Sequence, residues 1–91
     1  MAIFIITAAT ESPVLASAIA RLYPNDHIQI GPGQWLVAAE LTTRQLSDKL
    51  DVTSGNAGNS IFIAGISTYY GRHRTDIWEW IRLKWDGGPH G

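Results

Sequence analysis

The residues of this 91-residue chain whose types could do chemistry gather near its end. His73, Asp76 and Glu79 stand at i, i+3 and i+6, a spacing that could supply metal ligands from a helix. No second histidine-containing cluster completes such a site, because His27 and His90 stand alone. The two acids are better read as carboxylates at the positive start of a helix, so no metal is expected. Arg72, Arg74, Arg82 and Lys84 interleave with Tyr69, Tyr70 and three tryptophans. A single-stranded nucleic-acid surface uses that mixture, with cations for phosphate and rings for bases. Four basic side chains from residue 69 onward face three acidic ones, and the chain's net charge is −1, so the field such a surface needs is weak. Arg72 and Arg74 are expected to pair with Asp76 and Glu79.

Elsewhere the chemistry is thinner. Thr7, Thr10, Glu11 and Ser12 fall where a first strand meets a first helix, but Ser12 needs no role beyond capping. The glycines of Gly31-Pro32-Gly33 and of Gly55-Asn56-Ala57-Gly58 have neither the spacing nor the lysine of a phosphate loop and read as turns. No Ser/His/Asp arrangement has supporting spacing. There is no cysteine, which excludes disulfides and thiolate chemistry. No catalytic residue and no cofactor are assigned.

The tryptophans carry more weight. Trp78, Trp80 and Trp85 lie within eight positions and account for three of the four in the chain. Rings of that size close a thin core or form an interface hot spot, and in a homodimer one surface does both. Trp35, Tyr69, Tyr70, Trp78, Trp80 and Trp85 are therefore the candidate interface residues.

The elements that position these side chains follow from periodicity. Residues 2–8 read as a strand with Ile3 and Ile5 on one face and Phe4 and Ile6 on the other, so both faces should be covered. Ser12 and Pro13 open a helix with a Leu15, Ala18, Ile19, Leu22 stripe, and Tyr23-Pro24 ends it. Residues 27–30 alternate as an edge strand and pair in a hairpin with residues 34–40 across Gly31-Pro32-Gly33. Thr42 and Gln45 have capping-box spacing before a second, shorter helix with Leu46 and Leu50 inward. After a glycine-rich loop, residues 60–69 read as a long final strand. Residues 76–85 read as a third helix, with Thr75 as N-cap and Ile77, Trp80, Ile81 and Trp85 on one face. Trp78 falls outside that stripe, so the helix should be buried on more than one side.

The order β-α-β-β-α-β predicts an α+β, ferredoxin-like sandwich with an antiparallel four-stranded sheet, strands one and three central, and an extra C-terminal Trp-rich helix. Residues 1–85 form one domain and 86–91 a frayed tail. Two helices cover one face of such a sheet. Phe4 or Ile5, Trp35 or Leu36, and Phe62 or Ile63 must then supply an apolar second face, buried by the tail or by a second copy. With 45% hydrophobic and 16% charged residues the chain is charge-poor, as expected when part of a surface is covered. The apolar start lacks a basic n-region and is too short to span a bilayer, which predicts a cytoplasmic protein without a membrane partner.

The short β-α-β-β-α-β chain, its Trp35-Leu36-Val37 third strand and its Thr42-Thr43-Arg44-Gln45-Leu46 second helix resemble the small CRISPR-associated dimeric ferredoxin-like proteins and their stand-alone SinR-like and VapD-like relatives. The resemblance spans about residues 1–70 and implies a homodimer with facing sheets. Nuclease activity in that family is attributed to an aspartate ending the first strand. Here the stretch is Thr7-Ala8-Ala9-Thr10, with Glu11 the nearest acid, so the fold is carried over and the activity is not. The expectation is a non-catalytic homodimeric interaction module working through the sheet face and the Trp-rich segment, with a protein partner. The alternative is a nucleic-acid-binding protein using Arg72, Arg74, Arg82 and Lys84, or a degenerate metal-dependent nuclease related to that family.

Overall fold

β-Branched, alternating apolar runs become strands because their side chains pack well on a pleated surface. In the computed structural model, which describes residues 2–58 and 60–85, four such runs form one antiparallel sheet. They are β1 (Ala2–Ala8), β2 (His27–Gly31), β3 (Gln34–Ala39) and β4 (Ile61–Ile66), in the spatial order β2-β3-β1-β4. β1 and β3 are therefore the inner strands, with Ile3 opposite Ala38 on one side and Ile66 on the other. The fold is α+β, with three helices among the described residues: α1 (Pro13–Leu22), α2 (Thr43–Lys49) and α3 (Thr75–Lys84). The tail expected over 86–91 lies outside the described residues.

Local chemistry starts the first two helices. Ser12 Oγ accepts from the Leu15 N–H at 3.2 Å and donates to the Ala57 carbonyl at 2.8 Å, so one hydroxyl caps α1 and anchors the loop before β4. Thr42 and Gln45 close a reciprocal capping box at the start of α2, with bonds of 3.1 and 2.9 Å. The hairpin turn needs Gly33: its φ is +68°, and a Cβ there would meet the Ala8 carbonyl oxygen at 2.8 Å.

Strand parity divides the core in two. Phe4, Ile6, Trp35, Val37 and Ala39 point to one face and pack with Leu15 and Ile19 of α1, Leu46 of α2, and Leu50. Ile3, Leu36 and Ala38 point to the other face and pack with Ile77 and Ile81 of α3. The choice between neighbouring residues is thereby resolved. Ile5, Leu36 and Phe62 belong to the second face; Phe4, Trp35 and Ile63 belong to the first.

Several details differ from expectation. The last strand stops at Ile66 rather than at residue 69. Beyond it the chain leaves the sheet, and Tyr69 turns back onto Trp78 and Trp85. α3 begins at Thr75, and its N-cap position is Arg74, with no side-chain capping bond. Leu22, expected in the buried stripe of α1, is 42% exposed because the helix ends there and the chain turns away through Tyr23.

Candidate interaction surface

The second face of the sheet is covered mostly by the chain's own third helix. Ile77 and Ile81 are buried against β1 and β3, while Ile28, Ile30, Ile66, Tyr69, Trp78, Trp80 and Trp85 pack around them, partly exposed. Polar contacts hold the helix at both ends. The Arg74 guanidinium donates to the Gln29 carbonyl at 3.0 Å and pairs with Asp76 at 3.3 Å. Lys84 Nζ lies 2.8 Å from Asp26 Oδ1, at the turn before β2. Basic residues in the last turn also suit the helix's negative end.

Tyr69 and Tyr70 are not on a strand. Tyr69 turns back and stacks on Trp78, with centroids 5.9 Å apart and rings 15° from parallel, and lies tilted at 5.5 Å from Trp85. Offset and tilted rings at such distances contribute beyond simple burial. Tyr70, its neighbour, is 98% exposed. Trp35 is 4% exposed in the α1/α2 core, so its ring is used inside the chain. Trp78, Trp80 and Trp85 are half-buried at the margin of α3, which leaves part of each ring accessible.

The four basic residues proposed for nucleic acid do not form one free patch. Arg74 and Lys84 have partners within the chain, whereas Arg72 and Arg82 are exposed. His73 Nδ1 accepts from the Arg74 N–H at 2.8 Å, Asp76 pairs with Arg74, and Glu79 is exposed. Among the described residues no three His, Cys, Asp or Glu side chains are grouped to hold a metal ion. Glu11 and Ser12 line a small cleft with Gln29, Gly33 and Trp35 at the start of α1. Burial pushes the Tyr23 phenol above its ordinary value. Among the described residues no helix is long and apolar enough to cross a membrane.

What α3 leaves open is the side of the sheet beyond β1. Phe62 of β4 shares the second face and is 65% exposed, beside half-buried Ile5, Thr7 and Ala64. β4 is also an outer strand, so among the described residues one of its backbone edges has no neighbour in the sheet. Residues 60–71 contain no charged side chain. Sequence reasoning placed Phe62 or Ile63 on an uncovered face but left Phe62 out of the interface set. The signal was available, because a sheet with β1 and β3 in the centre puts β4 at an edge.

Comparison with protein-family models, curated proteins and solved structures gave no match.

Proposed function

We propose that this chain is a non-catalytic interaction module on a ferredoxin-like framework, and that it works as a homodimer. The observation that carries this reading is Phe62: a large aromatic side chain, 65% exposed, on an uncharged outer strand. Exposed aromatic surface next to an open strand edge is a standing invitation to association, and natural sheets normally blunt such edges with charge, proline or bulges. The ferredoxin-like reading is supported by the strand order β2-β3-β1-β4 and by α1 and α2 sharing one face.

The resemblance to facing-sheet dimers implied burial of the second face by a partner's sheet. α3 already occupies that face over β1, β2 and β3. The dimer proposed here therefore uses what α3 leaves, the Phe62 strip and the edge of β4. Light scattering across a hundredfold range of concentration tests this directly. A mass of two chains in the wild type, and of one chain in Phe62→Lys with an unchanged circular dichroism spectrum, is the expected result. A one-chain mass for the wild type at every concentration overturns it.

A further inference from the structure

The two outer strands of the sheet are finished differently. β2 carries a bulge between Gln29 and Gly31, is followed by Pro32, and has its Gln29 carbonyl occupied by the Arg74 guanidinium. These are the devices that keep a sheet edge from pairing with another chain. β4 has none of them: it contains no charge and no proline, and it pairs with β1 without a register shift.

The backbone of β4 fixes which groups are on offer. The Ala9 N–H donates to the Ser60 carbonyl at 3.1 Å. Antiparallel pairs alternate, so Phe62, Ala64 and Ile66 also turn their backbone groups toward β1, while those of Ile61, Ile63 and Gly65 face outward. Gly65 adds an independent observation. Its φ is not in the left-handed region, and a Cβ there would meet nothing nearer than the Phe4 ring at 3.9 Å, an ordinary contact. Among the described residues a single Cβ therefore fits at this place. Glycine weakens a strand, and in a strand interior it often marks where a neighbouring chain needs room.

We infer that β4 pairs antiparallel with β4 of a second copy, about a two-fold axis through Ile63, joining two four-stranded sheets edge to edge. This rests on the homodimer reading above and adds its geometry. In this register Ile63 faces Ile63 of the second copy, and Ile61 faces Gly65, so every outward backbone group of residues 61–65 finds a partner. Flanking the central Ile63 pair, large side chains meet small ones on both faces. Ile61 lies over Gly65 on the α1/α2 side, and Phe62 lies over Ala64 on the other. Moving the axis to Ala64 sets Phe62 against Ile66 and pushes Ile61 past the end of the strand, opposite Ser67. A groove lined by Thr43, Arg44 and Ser47 of α2 runs beside β4.

The chain has no cysteine, so disulfide trapping reads the register cleanly. Phe62 and Ala64 face each other as a non-hydrogen-bonded pair, with Cα atoms about 4.5 Å apart, within disulfide reach. Phe62→Cys alone, Ala64→Cys alone and an equimolar mixture of the two are oxidised with copper–phenanthroline, and the products are identified by mass spectrometry. The expected result is a Phe62→Cys/Ala64→Cys heterodisulfide in the mixture, with little disulfide in either variant alone. Efficient trapping of Ala64→Cys alone, or of Phe62→Cys alone, overturns the register while leaving the dimer. A two-chain mass with no trapping in any sample overturns β4 pairing altogether. A one-chain mass with no trapping overturns both this inference and the reading beneath it. Ile63→Cys, which faces its own copy on the axis, provides a second arm and is expected to trap alone.

Discussion

Replacing Ile81 by alanine tests whether α3 is a structural layer of this chain. Ile81 is 3% exposed and packs with Ile3, Leu36, Ala38 and Ile77. The substitution removes three buried carbons, about 2.4 kcal/mol at roughly 0.8 kcal/mol each. A residual cavity adds to this, so a loss of about 3 kcal/mol is expected, within the range for Ile→Ala in cores. A domain of this size has about 5–14 kcal/mol in total, so roughly a fifth to three fifths of the stability is at stake. Urea unfolding followed by tryptophan fluorescence is the assay, since Trp78, Trp80 and Trp85 lie in or beside α3. With a slope of about 1.5 kcal/mol per molar urea, the midpoint should fall by about 2 M. Leu83→Ala, on the same helix but 81% exposed, should stay within about 0.5 kcal/mol of the wild type. A loss below about 1 kcal/mol for Ile81→Ala would refute the reasoning. So would a fluorescence transition that precedes loss of the sheet, because α3 would then be an adherent segment and not part of the cooperative core.

Ser12→Ala should cost about 1–2 kcal/mol by thermal or urea unfolding, because it removes the α1 cap and leaves the Ala57 carbonyl without its hydroxyl donor. Ser12→Thr, which retains the hydroxyl, should recover most of that loss. Gly33→Ala should cost about 2 kcal/mol or more, since the new Cβ meets the Ala8 oxygen at 2.8 Å in a backbone conformation alanine resists. Alkaline titration should reveal Tyr23. Its phenol is raised by burial in the folded chain, so the unfolded chain releases that proton first. The contribution is therefore present below about pH 10 and lost as pH rises through the folded value. Tyr23→Phe should lower the steepness of that alkaline loss, and an unchanged profile would exclude Tyr23 as its source.

Much of the framework was legible because it is written in local chemistry. Ser12-Pro13 and Thr42-Thr43-Arg44-Gln45 start helices through contacts no more than three residues apart, and the structure places both caps where that chemistry requires. The hairpin was equally local. The end of β4 was not, since Ser67, Thr68 and Tyr69 fit a strand by composition. What draws the chain off the sheet is the contact of the Tyr69 ring with Trp78 and Trp85, a long-range fact. Parity could say that Trp35 and Leu36 point oppositely but not which faced which helix. Pattern could demand a cover for the second face without saying whose chain supplies it.

The cover being the chain's own helix changes what the exposed residues mean. Had the second face been bare, Ile3, Leu36 and Ala38 would have been the strongest case for a partner, and Phe62 only its margin. With α3 seated there, those residues are accounted for, and the Trp78, Trp80 and Trp85 rings have a structural use that needs no ligand. Phe62 belongs to neither buried cluster, and its strand carries an internal glycine at a place where a Cβ would fit. These two features, three residues apart on one uncharged edge, are both accounted for by the proposed pairing. If Gly65→Thr raises stability against urea yet shifts the mass from two chains to one, the glycine is kept for the partner. If it lowers stability and leaves the mass unchanged, the reason for Gly65 lies inside the fold.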